Sequence, residues 1–345
     1  MKAIVFHQHG DIDVLQEADL PTPTIGATEA LIDVKAVALN RLDLWVREGW
    51  PALKLPLPHI LGSDVAGVVA GVGANVSGFQ TGQRVTINPT LSCGECEYCY
   101  RGDDQLCLKF RLLGETTRGG YAEQMAIPAR NLLALPDDIS FEEAAAANLV
   151  TVTAWYSLIR KGKLQAGEDV LIVGAGGGVN SVSIQLAKFA GARVFVVASN
   201  TEKAEKAKAL GADFVIDRAQ TPDWSREVFR LTNRRGVDVA VDNVGQATWS
   251  SSIRALGRGG RMLVVGNTSG YNVQLDSRFI FSKQISIVGS TMGSQHDYRS
   301  SMRLVFERKI RAPIDRVLPF DQESAREAHR LLQSGDLFGK ILMKL

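Results

Sequence analysis

The chain changes rhythm near Phe141. Before it, short apolar runs such as Lys2–Phe6 and Glu29–Leu39 are separated by Pro21 to Pro23, by Pro51 to Pro58, and by turns at Gly71, Gly73 and Gly78. That pattern predicts a β-rich first part, with one more short strand at Gly82–Asn88. After Phe141, strands at Phe214–Ile216, Val237–Asp242, Arg261–Val265 and Ile285–Gly289 alternate with amphipathic helices at Thr201–Leu210, Ser225–Thr232 and Ala247–Leu256. Such alternation predicts a doubly wound parallel sheet covered on both faces, hence an α/β protein with a β-rich companion. From about Ser294 two further helical segments precede the run Phe338–Met343.

The second part is organised around Asp169–Ser199. An apolar strand, DVLIV, runs into Gly174, Gly176, Gly177 and Gly178; an amphipathic stretch follows to Lys188 and Gly191, and a second strand spans Arg193–Ala198. Glycines at a strand-to-helix turn let backbone N–H groups, here those of Gly174, Gly177, Gly178 and Val179, approach a pyrophosphate at the positive end of the helix. The spacing predicts a dinucleotide site. One position departs from the usual fingerprint. Where a third glycine packs the helix on the strand stands Asn180, which adds volume.

The chain's four cysteines, Cys93, Cys96, Cys99 and Cys107, are clustered. Four thiolates at short spacing can close a tetrahedral shell around zinc at low loop-closure cost. Disulfides compete with that reading. The opening MKAIVFHQHGD lacks the apolar run of a secretory signal, so a cytoplasmic protein and a metal are expected. Four protein ligands leave no open position, which makes that zinc structural. Net charge is +2 from 39 basic and 37 acidic residues, without a block of like charge, which argues against nucleic acid or an anionic membrane as partner. The uncharged stretch Ala144–Ile159 contains Asn148, Thr151 and Thr153 and is too short to cross a bilayer, so a buried helix and loop is expected.

Taken together, these residues resemble the medium-chain dehydrogenase/reductase superfamily of zinc alcohol dehydrogenases and quinone oxidoreductases. The markers are Asn40-x2-Asp43-x3-Arg47-x-Gly49, Gly62-x-Asp64-x2-Gly67, the cysteine lobe, Gly119–Glu123, the glycine turn, Val241–Gly245 and Phe338-Gly339-Lys340. The resemblance implies a GroES-like catalytic domain at 1–128 and 295–345 with a zinc lobe at 91–110, a Rossmann domain at 129–294, and an active site in the cleft between them. It also implies a homodimer or homotetramer, with Ile285–Gly289 as a candidate edge strand. It places Asn243, Gly266 and Phe338 beside a nicotinamide and Thr153 toward the phosphate–ribose side. At the positions where zinc alcohol dehydrogenases hold a catalytic metal, the first Cys is replaced by Asn40, the His by Ser63 and the Glu by Asp64; the last ligand falls near Asn148 or Leu149. No catalytic zinc is expected, as in the quinone oxidoreductase branch.

Cofactor choice follows from the end of the second strand. Ser199 is neutral where an acidic residue would hold the ribose of NAD and repel a 2′-phosphate, and Lys203 and Arg218 match basic positions of NADPH-dependent relatives. NADPH is the expectation, NADH the alternative, and Glu202 the main objection. Without a metal, hydride transfer relies on orientation and hydrogen bonds, which suits acceptors that delocalise charge. The expected activity is NADPH-dependent reduction of quinones or activated C=C bonds in enones and enals. Asn40 and Ser63 are candidate donors to the substrate oxygen, with Asp64 beside them, although each serves equally well as scaffold. Asp43 and Arg47 are expected to form a structural ion pair, His59 to be packed, and Trp45, Trp50 and Leu55 to line a pocket or the core. Two rivals stand beside this reading: a zinc-type alcohol dehydrogenase or carbonyl reductase, and a catalytically silent cofactor- or RNA-binding protein.

Overall fold

The computed structural model describes residues Met1–Leu345. The chain packs as two compact units: Met1–Leu149 with Gly293–Glu307 and Ala312–Leu345, and Val150–Met292 with Arg308–Arg311.

In the first unit Glu29–Ala38 is the central strand of a seven-stranded sheet. Its alternating burial is that of a strand with one face on the core. The strand order is Leu132–Ala134, Arg84–Ile87, Asp64–Val72, Glu29–Ala38, Lys340–Lys344 and Ile314–Pro319, with Gln124–Pro128 also pairing with Glu29–Ala38. Ala38 is the register partner of both Asp64 and Leu342. That register brings Asn40, Asp64 and Lys340, far apart in sequence, to one end of the sheet. Asp64–Val72 can lie this close only because residue 67 is glycine: a Cβ there would sit 2.2 Å from the Asp33 carbonyl oxygen. The helix Arg41–Glu48 starts on a capping box between Asn40 and Asp43, and Gln295–Phe306 on one between Ser294 and Asp297. Gln322–Ser334 begins at the Asp321 cap and ends at Gly335, in the left-handed conformation (φ 71°).

The second unit holds a six-stranded parallel sheet in the order Phe214–Asp217, Arg193–Ala198, Asp169–Val173, Val237–Asp242, Leu256–Val264, Ser286–Gly289. Numbered along the chain this is 3-2-1-4-5-6, the doubly wound Rossmann order. All residues of Asp169–Val173 are buried, as expected of a strand covered on both faces. The fifth strand starts at Leu256 rather than Arg261, because Leu256 pairs with Val237 ahead of an irregularity in register. The helix Phe141–Trp155 likewise does not end in a loop; it continues as a π-helical turn, Tyr156–Lys161, whose Tyr156, Ser157 and Leu158 are buried. No helix is long and apolar enough to cross a membrane.

Candidate active site

The glycine turn lies where strand Asp169–Val173 hands over to helix Gly178–Phe189. Gly174 has φ 91°, a conformation open to glycine, and a Cβ at Gly177 would meet nothing within 4 Å. Space and free first-turn N–H groups therefore coincide at a helix N-terminus, which fits a pyrophosphate. Asn180 does not project into that space. Its Nδ2 donates to the carbonyls of Val173 (2.8 Å) and Gly174, and its Oδ1 accepts from Asn243 Nδ2 at 2.6 Å.

At the far end of the next strand, Asn200 caps helix Thr201–Ala209 by accepting from the Lys203 backbone N–H, and Ser199 is half-buried just ahead of it. Glu202 points to Lys206 (2.6 Å), which holds its carboxyl below the usual range. Arg218 is exposed, with its N–H donating to Ala198 O. Asp217 is engaged by the Thr201 hydroxyl at 2.8 Å.

The loop after strand Val237–Asp242 is fixed by buried Asp242, whose carboxylate accepts from the N–H groups of Val244 and Gly245 and from the hydroxyls of Thr248 and Ser252. Asn243 Oδ1 is a buried acceptor without a partner. Gly266 abuts it: a Cβ there would be 3.3 Å from the Asn243 carbonyl oxygen. Thr153, 5% exposed, has its hydroxyl 3.8 Å from Met292 Sδ. Phe338 belongs to the first unit, where its N–H donates to Asp315.

In the first unit, Lys340 joins the residues at the former metal positions. Its ammonium donates to Asn40 Oδ1 (2.6 Å) and Asp64 Oδ2 (2.8 Å), and Asn40 Nδ2 donates to the same Asp64 oxygen at 2.9 Å. Asp64 Oδ1 accepts from the Leu149 N–H at 2.7 Å. Two of three ammonium N–H bonds and one of two Asn40 amide N–H bonds are thus used. Ser63 departs from the expectation of a substrate donor: its hydroxyl proton goes to the Leu113 carbonyl at 2.6 Å, leaving only an acceptor. Asn148 accepts from Thr86 and Tyr298 and donates to Val65 O.

The expected Asp43–Arg47 ion pair is not formed. Asp43 accepts from the N–H groups of Asn40 and Gly62, and burial pushes its carboxyl up to about 7 against those hydrogen bonds. Arg47 donates to Gly10 O and Glu48 and meets His329 Nδ1 at 3.0 Å. Burial, aided by Arg47, pulls His329 down to about 3. His59 is fully buried edge-on to Phe6 with Nε2 on Gly114 O, and is pulled down to about 4. Trp45 and Trp50 are more than a third exposed, whereas Leu55 packs on the core.

The four cysteine Sγ atoms lie within 4.8 Å of one another. Their hydrogen-bond-range separations run from 3.5 to 3.9 Å. A zinc–thiolate bond of about 2.3 Å gives a tetrahedral edge of about 3.8 Å, close to these four separations, so the cluster fits the ion.

Comparison with known proteins bears on the whole chain. The alcohol dehydrogenase GroES-like domain family matches residues 26–137, and the zinc-binding dehydrogenase family matches residues 178–307. A crystal structure of an NAD-dependent alcohol dehydrogenase superposes with a TM-score of 0.96 at 45% identity, covering 100% of both chains. The NAD-dependent alcohol dehydrogenase of Sulfolobus acidocaldarius is 31% identical over 352 residues, covering 100% of both. The chain belongs to the medium-chain dehydrogenase/reductase superfamily. It is therefore an oxidoreductase with the GroES-like and Rossmann parts of that superfamily. The acryloyl-coenzyme A reductase of Sulfurisphaera tokodaii, 31% identical over 348 residues and again covered in full, is another relative.

Two features of this superfamily member escaped sequence reasoning. Lys340 was visible only as part of the Phe-Gly-Lys marker, and nothing in spacing alone places residue 340 beside residues 40 and 64. The Asn180–Asn243 bond had a partial signal, the broken glycine rule, but its partner follows from strand order.

Proposed function

We propose that this protein reduces small conjugated acceptors with NADPH and without a catalytic metal. Enones, enals, unsaturated thioesters and quinones are the substrate class. The observation that carries the reading is the Lys340 ammonium hydrogen-bonded to Asn40 and Asp64. A zinc ion at these positions would face a fixed cation, an amide and a hydroxyl already committed to a carbonyl, which is not the thiolate and imidazole set that holds catalytic zinc. The relative named acryloyl-coenzyme A reductase supports C=C reduction.

The bound nicotinamide nucleotide supplies the hydride. Gly177, Gly178 and Val179 would hold its pyrophosphate beyond the turn that Gly174 makes, the Gly174 N–H being donated to Val197 O. Ser199 would leave room for a 2′-phosphate that Lys203 and Arg218 neutralise, and Thr153, Asn243 and Gly266 would position the nicotinamide half. The unused N–H of Lys340 and the second N–H of Asn40 donate to the acceptor oxygen as negative charge develops on it, the role a metal would otherwise fill. Asp64 fixes both donors, and Ser63 holds the loop at Leu113. Cys93, Cys96, Cys99 and Cys107 would hold one structural zinc in the lobe at 91–110. The catalytic domain corresponds to the first unit, which keeps residues 129–149 with the seven-stranded sheet, and the Rossmann domain to the second. The protein works as a homodimer or homotetramer.

A second reading, an NAD-dependent alcohol dehydrogenase, is favoured by the names of the 45% identical structure and the Sulfolobus relative. Zinc content, together with NADPH and NADH oxidation on an enone, an enoyl thioester, 9,10-phenanthrenequinone and an aldehyde, separates the two. One zinc per chain with NADPH-driven enone, thioester or quinone reduction supports the proposal. Two zincs with NAD-linked alcohol oxidation overturn it.

A further inference from the structure

Asn180 stands where a glycine is usual, and its contacts determine the orientation of a second side chain. The end of Asp169–Val173 is paired in register with the end of Val237–Asp242, Val173 facing Asp242. These are the first and fourth strands of the 3-2-1-4-5-6 order, the place where connections leave in opposite directions and open sheets of this kind take their ligands. The Asn180–Asn243 hydrogen bond, 2.6 Å long, spans that switch point.

The direction of each amide follows from its neighbours. Asn180 touches two carbonyl oxygens, Val173 O and Gly174 O, so its NH2 end must face them. Its Oδ1 then faces Asn243, which has to present its own NH2. Asn243 Oδ1 is left as a buried acceptor with no protein donor. A buried acceptor without a partner costs free energy, and a ligand donor recovers it.

Building on the cofactor site proposed above, we infer that Asn180 is a positioning residue: by pinning the Asn243 amide it turns Asn243 Oδ1 toward the carboxamide NH2 of the nicotinamide. A glycine at 180 would leave Asn243 free to rotate, so the acceptor would be presented only part of the time. Asp242, held by Val244, Gly245, Thr248 and Ser252, keeps the backbone under Asn243 in place, which leaves the side-chain amide as the freedom Asn180 removes.

The test compares two ligands that differ in the nicotinamide. Dissociation constants are measured for NADPH, by its fluorescence, and for 2′-phospho-ADP-ribose, by calorimetry, on the wild type, Asn180→Gly, Asn243→Ala and the double variant. Thermal midpoints verify that each variant is folded. Each single substitution is expected to weaken NADPH about tenfold while changing 2′-phospho-ADP-ribose less than twofold, and the double variant is expected to be no weaker than either single one. Unchanged NADPH affinity, or an equal loss for both ligands, overturns the inference. Failure of the wild type to bind either ligand would instead overturn the cofactor assignment on which it rests.

Discussion

Lys340 Nζ lies 2.8 Å from Asp64 Oδ2, and the two side chains are 3% and 0% exposed. Removing one partner of such a pair leaves an uncompensated buried charge, at a cost of about 3–5 kcal/mol. Lys340→Met is therefore expected to lower unfolding free energy by that order in urea titrations. The double variant Lys340→Met/Asp64→Leu should regain much of the loss, since no lone charge remains. Neither variant should recover kcat/KM, because the proposed donor is gone. Full activity in the double variant would show that the pair is scaffold.

The cysteine cluster predicts one zinc per chain by elemental analysis. Cys96→Ala should abolish retention of that zinc and lower the thermal midpoint, because a metal held only by the folded state stabilises it. Reduction of a conjugated acceptor by whatever folded fraction remains should persist, as the lobe's closed shell offers no position for substrate. Activity that follows zinc content strictly, at constant folded fraction, would place the metal in the reaction.

Cofactor preference should turn on charge near Ser199. Lys203→Glu and Arg218→Ala are each expected to raise Kd for NADPH about tenfold while leaving NADH within twofold, the difference being the 2′-phosphate. Equal effects on both nucleotides would remove these residues from the specificity argument.

Acid sensitivity should trace to two buried imidazoles. His329 and His59 are pulled down to about 3 and about 4, so folded protein refuses protons that the unfolded chain binds near 6.5. Each ring thus contributes stability above pH 6.5 that is lost as pH falls toward its folded value, at about 1.4 kcal/mol per pH unit. Asp43 acts in the opposite sense: raised to about 7, it contributes stability at low pH that fades as pH rises through neutrality. His329→Gln, which retains an acceptor for Arg47, should flatten the loss of stability between pH 6 and 4. An unchanged slope in denaturant midpoints against pH would exclude His329 as a source.

What could be read from sequence was what repeats locally. Strand Asp169–Val173, its glycine turn and the following helix needed only apolar runs and spacing, and the cysteines lay within one short segment. Glu29–Leu39 showed itself as an apolar run of strand length. By contrast, the π turn at Tyr156–Lys161 carries no pattern distinct from a helix end, and the glycine-rich start of strand Leu256–Val264 mimics a turn. Arg47 reads naturally as a partner of Asp43 at helical spacing. Tertiary structure instead supplies Gly10 O and His329, while Asp43 is taken by backbone donors. Ser63 was a candidate donor to substrate by residue type, but its hydroxyl proton is committed to the Leu113 carbonyl. The sites hardest to foresee were those assembled by register, Lys340 with Asp64 and Asn180 with Asn243.

The strand Lys340–Lys344 lies between Glu29–Ala38 and Ile314–Pro319 in the sheet of the first unit. During synthesis the strand at 29–38 therefore emerges from the ribosome long before this neighbour exists; Gln124–Pro128 covers Glu29–Asp33 on that edge, but the end at Ala36–Ala38 stays open until residues 340–344 have been translated. The first unit cannot be completed co-translationally in the order of its sequence, whereas the parallel sheet of the second unit can form in the interval. Because Lys340 sits on the strand that closes the gap, the insertion that completes the sheet also delivers the ammonium to Asn40 and Asp64. A nascent or truncated chain lacking it would leave Ala36–Ala38 without a strand partner and the Asp64 carboxylate without its ammonium, held only by Asn40 and the Leu149 N–H.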